Sequence, residues 1–142
     1  MVMKNAAAEN YHELAFYTLA HPDIKYFIHQ HIVDAFQAQT ADEHTKPIAI
    51  IFSLAGLYLF TEKEYTGKMV QQVHMKMARN KILWPAIDLP VHRGDIVISN
   101  VLETAPGADR DEMIKKWVIC VWEAFEDSHK AIRSLVRITA GI

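Results

Sequence analysis

Cysteine is nearly missing. Cys120 is the single one in 142 residues, which excludes an intramolecular disulfide framework and a zinc site built on paired cysteines. An excess of one charge is missing too. Fifteen Lys plus Arg stand against 17 Asp plus Glu, and no basic block or basic helix face forms, so no nucleic-acid footprint is expected. The longest apolar stretch, residues 48–60, is shorter than the about 20 residues that a bilayer crossing needs, so no membrane span is expected. The first ten residues lack an apolar core of secretory length, and with the lone cysteine this points to a soluble protein of the reducing cytoplasm. Glycine-rich phosphate loops and HExxH are absent as well.

What is present is apolar and helical in spacing. Hydrophobic residues make up 51% and charged residues 23%, a globular balance. A chain of this size buries roughly 68–70% of its unfolded surface, enough for a full core, and the expectation is a single domain over 1–142. The organising stretch runs from Pro47 to Phe60. No charge interrupts it. Ile51, Ala55 and Tyr58 point one way, and Ile50, Leu54 and Leu57 another. A helix that is apolar all round is a buried helix. The fold class follows: all-α, a bundle of about five main helices around a buried central helix at 47–60.

The other helices are placed by periodicity and punctuation. Tyr11, Leu14, Ala15, Thr18 and Leu19 mark a first helix over Asn10–Ala20, ended by His21-Pro22. Pro22 opens a second, which runs to about Gln39 with Phe27, Ile28, His31 and Ala35 on its stripe and Gln30, Asp34 and Gln37 on its polar side. Thr45 is the expected cap of the third helix and Thr66 of a fourth, Gly67 to about Asn80. Residues 81–107 hold three of the five prolines and two of the five glycines, so they form an irregular covering segment. One short helix there is capped by Ser99, while Trp84, Ile87, Leu89 and Ile96 pin the segment down. Asp109 caps a long C-terminal helix reaching about Val136, with Ile114, Trp117, Val121, Phe125, Ser128 and Ile132 on its core stripe.

An ordered set of phrases runs through this frame: Tyr11-His-Glu-Leu14, the run from His29 to Gln39, Gly56-Leu-Tyr-Leu59, Trp84-Pro85, Leu89-Pro90, Arg93-Gly94, Trp117, Val121-Trp-Glu-Ala-Phe125 and His129. Together they resemble a bacterial domain-of-unknown-function family, number 5946, over nearly the whole chain. The resemblance implies a fold unit and no activity. It also implies histidines in other members where this chain has Thr40, Ser53 and Ser128, so a metal site drawn on those positions is short of ligands here.

Eight histidines give the chain its chemistry-bearing side chains. His31 lies mid-stripe with Asp34 at i+3, where a carboxylate can fix an imidazole tautomer and raise its basicity. The bland alternative is a buried His with one hydrogen bond and an Asp34 that faces water. His12 on the first helix and His129 on the last can converge with that pair between helices, which is how bundle cores hold divalent metal. His29 sits about 200° round from His31 and cannot share its ion, so it is expected to be partly exposed. Met69, Met75 and Met77 are expected to fill gaps.

Two functions compete. The first is a helical-bundle binding or scaffold protein with a small-molecule ligand or a homodimeric partner, its contact surface formed by Trp122, Tyr58 and the 81–107 segment. The alternative is a metal-dependent small-molecule enzyme with His12, His31, Asp34 and His129 around a divalent ion that activates water or polarises a carbonyl.

Overall fold

The computed structural model describes residues 2–20 and 27–142. Among them are seven α-helices, one 3-10 turn and no strand: α1 Val2–Ala20, α2 Ile28–Thr40, α3 Pro47–Lys63, α4 Gly67–Ala78, α5 Ile98–Leu102, α6 Ala108–Ala124, the 3-10 turn Glu126–Ser128, and α7 His129–Ala140. His21 and Pro22, which carry the expected end of the first helix and start of the second, lie outside the described residues. No helix among the described residues is long and apolar enough to cross a membrane.

The chain is built around α3. Pro47 occupies its first turn, where a missing N–H costs nothing. Glu64 ends it in the left-handed region at φ 57°, and the Tyr65 N–H returns to the Leu59 carbonyl at 3.0 Å. Between those ends Ile50, Ile51 and residues 53–59 are all buried. Burying a Leu or Ile side chain contributes roughly 1.5–3 kcal/mol, so this helix supplies a large share of the core. It packs on α2, α4, α6 and α7.

α2 is the second hub, touching α1, α3, α4 and α6. It runs antiparallel to α3, and three facing contacts fix the register. The His31 ring lies 4.3 Å from that of Phe60, the Asp34 carboxyl sits against Gly56, and Ser53 Oγ donates to Gln37 Oε1 at 2.7 Å. Each step forward of three residues on α2 is a step back of three or four on α3.

Three caps differ from expectation. Thr45 Oγ1 accepts the Asp42 N–H at 3.0 Å and closes a turn, leaving Lys46 as the N-cap of α3. Val97 precedes α5, its N–H held at 2.8 Å by Asn100 Oδ1, so Ser99 lies inside the helix. Gly107, at φ 104°, precedes α6, and Asp109 falls in its first turn, where a carboxylate opposes the helix dipole. Thr66 caps α4 as expected, accepting from the Met69 N–H at 3.2 Å. Leu19, Met69 and Met75 were placed with the apolar stripes or gaps but are 57%, 40% and 60% exposed.

The long C-terminal helix is broken. Phe125 leaves the helical region at φ −96°, ψ 28°, and its N–H bonds the Trp122 carbonyl three residues back, as does Ser128 to Phe125. No glycine or proline marks the place. The break tucks Phe125 to 1% exposure, and His129 Nε2 supplies a second partner, at 2.7 Å, to the Trp122 carbonyl at the end of α6. The carbonyl only accepts, so Nε2 carries the proton.

The covering segment 81–107 is pinned as expected, with Trp84, Ile87, Leu89 and Ile96 packed against the core. Gln39 anchors it: its Nε2 donates to the carbonyls of Arg93 and Ile96, while its Oε1 accepts from Trp117 Nε1 at 2.9 Å. Arg93 answers by donating to the carbonyls of Gln39 and Ala41 at the end of α2.

Candidate functional site

The polar side of α2 turns inward at Asp34, while Gln30 is half-buried and Gln37 stays exposed. Asp34 is 2% exposed and His31 4%. α3 has no side chain opposite Asp34, because the facing residue is Gly56. A Cβ built there would lie 1.9 Å from Asp34 Oδ2. Glycine in a helix interior costs about 1 kcal/mol relative to alanine, and here it makes room for a carboxyl group.

That carboxyl ends a short chain of amides. Gln71 Nε2, from α4, donates to Gln30 Oε1 at 3.3 Å, and Gln30 Nε2 donates to Asp34 Oδ1 at 3.1 Å. Among the described residues the other oxygen, Oδ2, is buried without a partner, and so is His31 Nδ1 one turn earlier. Buried polar atoms are almost always hydrogen-bonded; Thr61 Oγ1 and Arg110 Nε are also unpartnered among the described residues, but only this seam, through His31 and Asp34, puts two such atoms three residues apart on one helix. Tyr11 of α1 stacks on Phe36 of α2, ring centroids 4.5 Å apart, and closes the flank.

Burial sets the protonation of the seam. It pushes the Asp34 carboxyl well above the usual carboxylate range, opposed only by the Gln30 hydrogen bond. It pushes the His31 imidazole down to about 4. Both shifts favour the neutral forms, and near neutral pH His31 is a neutral imidazole. The Tyr11 phenol is raised by burial and then by the charge that Asp34 carries when ionised.

The four-residue metal set does not assemble. Among the described residues no three His, Cys, Asp or Glu side chains gather as a metal-holding group. His12 is exposed on α1. His129 is committed elsewhere: its Nε2 holds the Trp122 carbonyl, and its ring stacks on the Trp122 indole at 3.7 Å and 11°. Only His31 and Asp34 remain together, because only they share a helix face toward α3. The contact surface assigned to Trp122 and Tyr58 is corrected too. They are 2% and 7% exposed and pack on each other, ring centroids 5.9 Å apart, inside the core. His29 is half-buried as expected, its Nδ1 3.0 Å from Thr18 Oγ1.

Gln30, Gln71 and Gly56 were missed as site residues. Gly56 carried a signal: a lone glycine inside a continuously apolar helix implies close approach by another group. The glutamines carried none, since polar residues on one side of a helix look the same whether they face water or a second polar surface.

Fold and site together define an all-α protein with a buried acid–amide seam between α2, α3 and α4. The chain belongs to the family of unknown function DUF5946, which matches it over residues 4–126. No curated protein and no solved structure matches it.

Proposed function

We propose that this chain, folded as a single domain, is a small-molecule or ion-binding helical-bundle protein, and that the seam formed by Gln30, His31, Asp34 and Gln71 is its binding seat. One observation carries the reading: Asp34 is buried with Oδ2 unpartnered among the described residues, against a glycine that leaves it room. A group left this way costs about 1–3 kcal/mol, and a ligand that completes its hydrogen bonding recovers that cost. The arrangement supports binding over bulk scaffolding, because a purely structural core is better served by an apolar residue at position 34.

The test is a thermal-shift panel of divalent cations, primary amines and neutral amides on wild type and on Asp34→Asn, which keeps the side chain's volume. A ligand at 100 times its Kd stabilises the folded state by about 2.7 kcal/mol. The expected outcome is at least one class that raises the wild-type Tm and leaves Asp34→Asn unmoved. A panel in which every shift is shared by both proteins, or none occurs, rejects the seat.

A further inference from the structure

We propose that residues 81–96 form a strap that opens as a unit while the helical bundle stays folded, and that a clasp between Gln39 and Arg93 holds it shut. This goes beyond the binding reading above and does not rest on it. Among the described residues the strap makes no hydrogen bond between main-chain groups. The bonds that reach its carbonyls come from side chains: Gln39 Nε2 donates to Arg93 and Ile96 at 3.1 and 2.8 Å, and Arg93 Nε to Pro90 at 3.0 Å. Its pins Trp84, Ile87, Leu89 and Ile96 are half-buried and none is fully so, while Leu83 and Val91 stand wholly in water. A segment with so few buried contacts and backbone bonds opens at a lower free energy than the core beside it. Its ends are firmer. Asn80 Nδ2 donates to the Thr139 carbonyl at 2.8 Å on one side, and Ile98 is buried on the other.

The clasp is reciprocal. Gln39, on the last turn of α2, donates to the strap, and Arg93 of the strap donates back through Nη1 to the carbonyls of Gln39, at 3.2 Å, and Ala41. Carbonyls at a helix C-terminus lack donors within the helix, and the dipole there favours a cation, so Arg93 is well matched to its seat. Because each partner holds the other's backbone, the bonds are lost together. Gln39 Oε1 accepts from Trp117 Nε1 of α6 without involving the strap, so α2 and α6 stay joined when it leaves. The contacts of α3 with α2, α4, α6 and α7 involve none of it either. Two features seat the strap on the bundle. Gly94, at φ 105°, lies so close to α6 that a Cβ there would be 2.6 Å from Cys120 Sγ. The Trp84 ring meets that of Phe52 on α3 edge-on, centroids 5.5 Å apart at 79°. Opening therefore bares Phe52 and Cys120 on one side of the bundle.

Full-length protein is digested with thermolysin over a series of urea concentrations below the unfolding transition, and mass spectrometry maps the cuts. Thermolysin cuts before large apolar residues, which the strap offers at Ile82, Leu83, Ile87, Val91 and Ile96. Cleavage of a transiently opened segment tracks the population of the open form. The expected result is cleavage inside the strap whose rate rises less steeply with urea than global unfolding followed by helical circular dichroism, because less surface is exposed. Arg93→Ala is expected to speed that cleavage by about tenfold or more, the loss that removing a charged donor predicts, with the helical urea midpoint little moved. Gly94→Ala, which sets a Cβ against Cys120 at a positive φ, is expected to act in the same direction and carries the comparison if Arg93→Ala does not fold. Strap cleavage with the full urea dependence of global unfolding overturns the proposal. So does cleavage that neither substitution accelerates, since the clasp and the seat would then hold nothing.

Discussion

Two polar clusters flank α3, and they are satisfied to different degrees. At its C-terminal end Glu62 is fully engaged: Oε2 accepts from Trp122 Nε1 at 2.9 Å and from Arg133 Nη2 at 2.7 Å, and Oε1 accepts from Arg133 Nε at 2.9 Å. The Arg133 bonds hold the Glu62 carboxyl below its ordinary range. At the middle of the helix the Asp34 carboxyl has, among the described residues, one bond and no cation, and burial raises its pKa. Both are carboxylates beside a histidine and an aromatic ring. The first is closed by its own chain and needs nothing further to explain it. The second is incomplete, and incompleteness in a dry core is what separates a site from a strut.

The largest effect is expected from closing the space opposite Asp34. Helix propensity alone favours Gly56→Ala by about 1 kcal/mol. The new Cβ would meet Asp34 Oδ2, so the net result is a loss of about 1–3 kcal/mol in urea denaturation. In an Asp34→Ala background the same substitution becomes neutral or stabilising, and a loss that persists there would show that Gly56 does not exist for the carboxyl.

The next effect is a pH dependence confined to the seam. Asp34 is raised in the folded state, so its contribution to stability is complete below the ordinary carboxylate value and is lost as pH rises toward its folded value. His31 runs the other way: its contribution is present above about 6.5 and is lost as pH falls through about 4. Relative to Asp34→Asn, wild type therefore loses stability with rising pH, at up to about 1.4 kcal/mol per unit. Denaturation midpoints from pH 4 to pH 9 measure it. A constant difference between the two proteins would mean that Asp34 is not held neutral.

The smallest effect is expected at the satisfied cluster. Glu62→Gln keeps an acceptor for the Trp122 indole and loses the ion pair with Arg133, which is 45% exposed. Exposed pairs are worth up to about 1 kcal/mol, so the denaturation midpoint moves little and its pH profile keeps its shape. A larger loss than at Gly56 would invert the comparison.

The sequence carried the architecture well where periodicity and punctuation spoke. Residues 47–60 had no polar face, and the helix they form is buried at Ile50, Ile51 and residues 53–59, with Pro47 and Ile48 exposed at its start. Pro85, Pro90 and Gly94 marked the irregular cover. It failed at Phe125, where tertiary packing of an aromatic side chain, with no breaker residue, ended α6. It failed at Trp122 and Tyr58 because an aromatic residue off the main stripe can face a second layer of core as readily as a partner. For the site, His31 and Asp34 were legible as an i, i+3 pair. Their isolation from His12 and His129 was not, since convergence of helices is a property of the assembled bundle.

Gly56 has one further consequence. It acts as a notch that indexes two rods against each other. Sliding α2 along α3 by one turn would set Asp34 against Ser53 or Phe60 of the same facing row, where a side chain already occupies the place. The pair can mate in only one longitudinal setting, and a single missing side chain does the selecting.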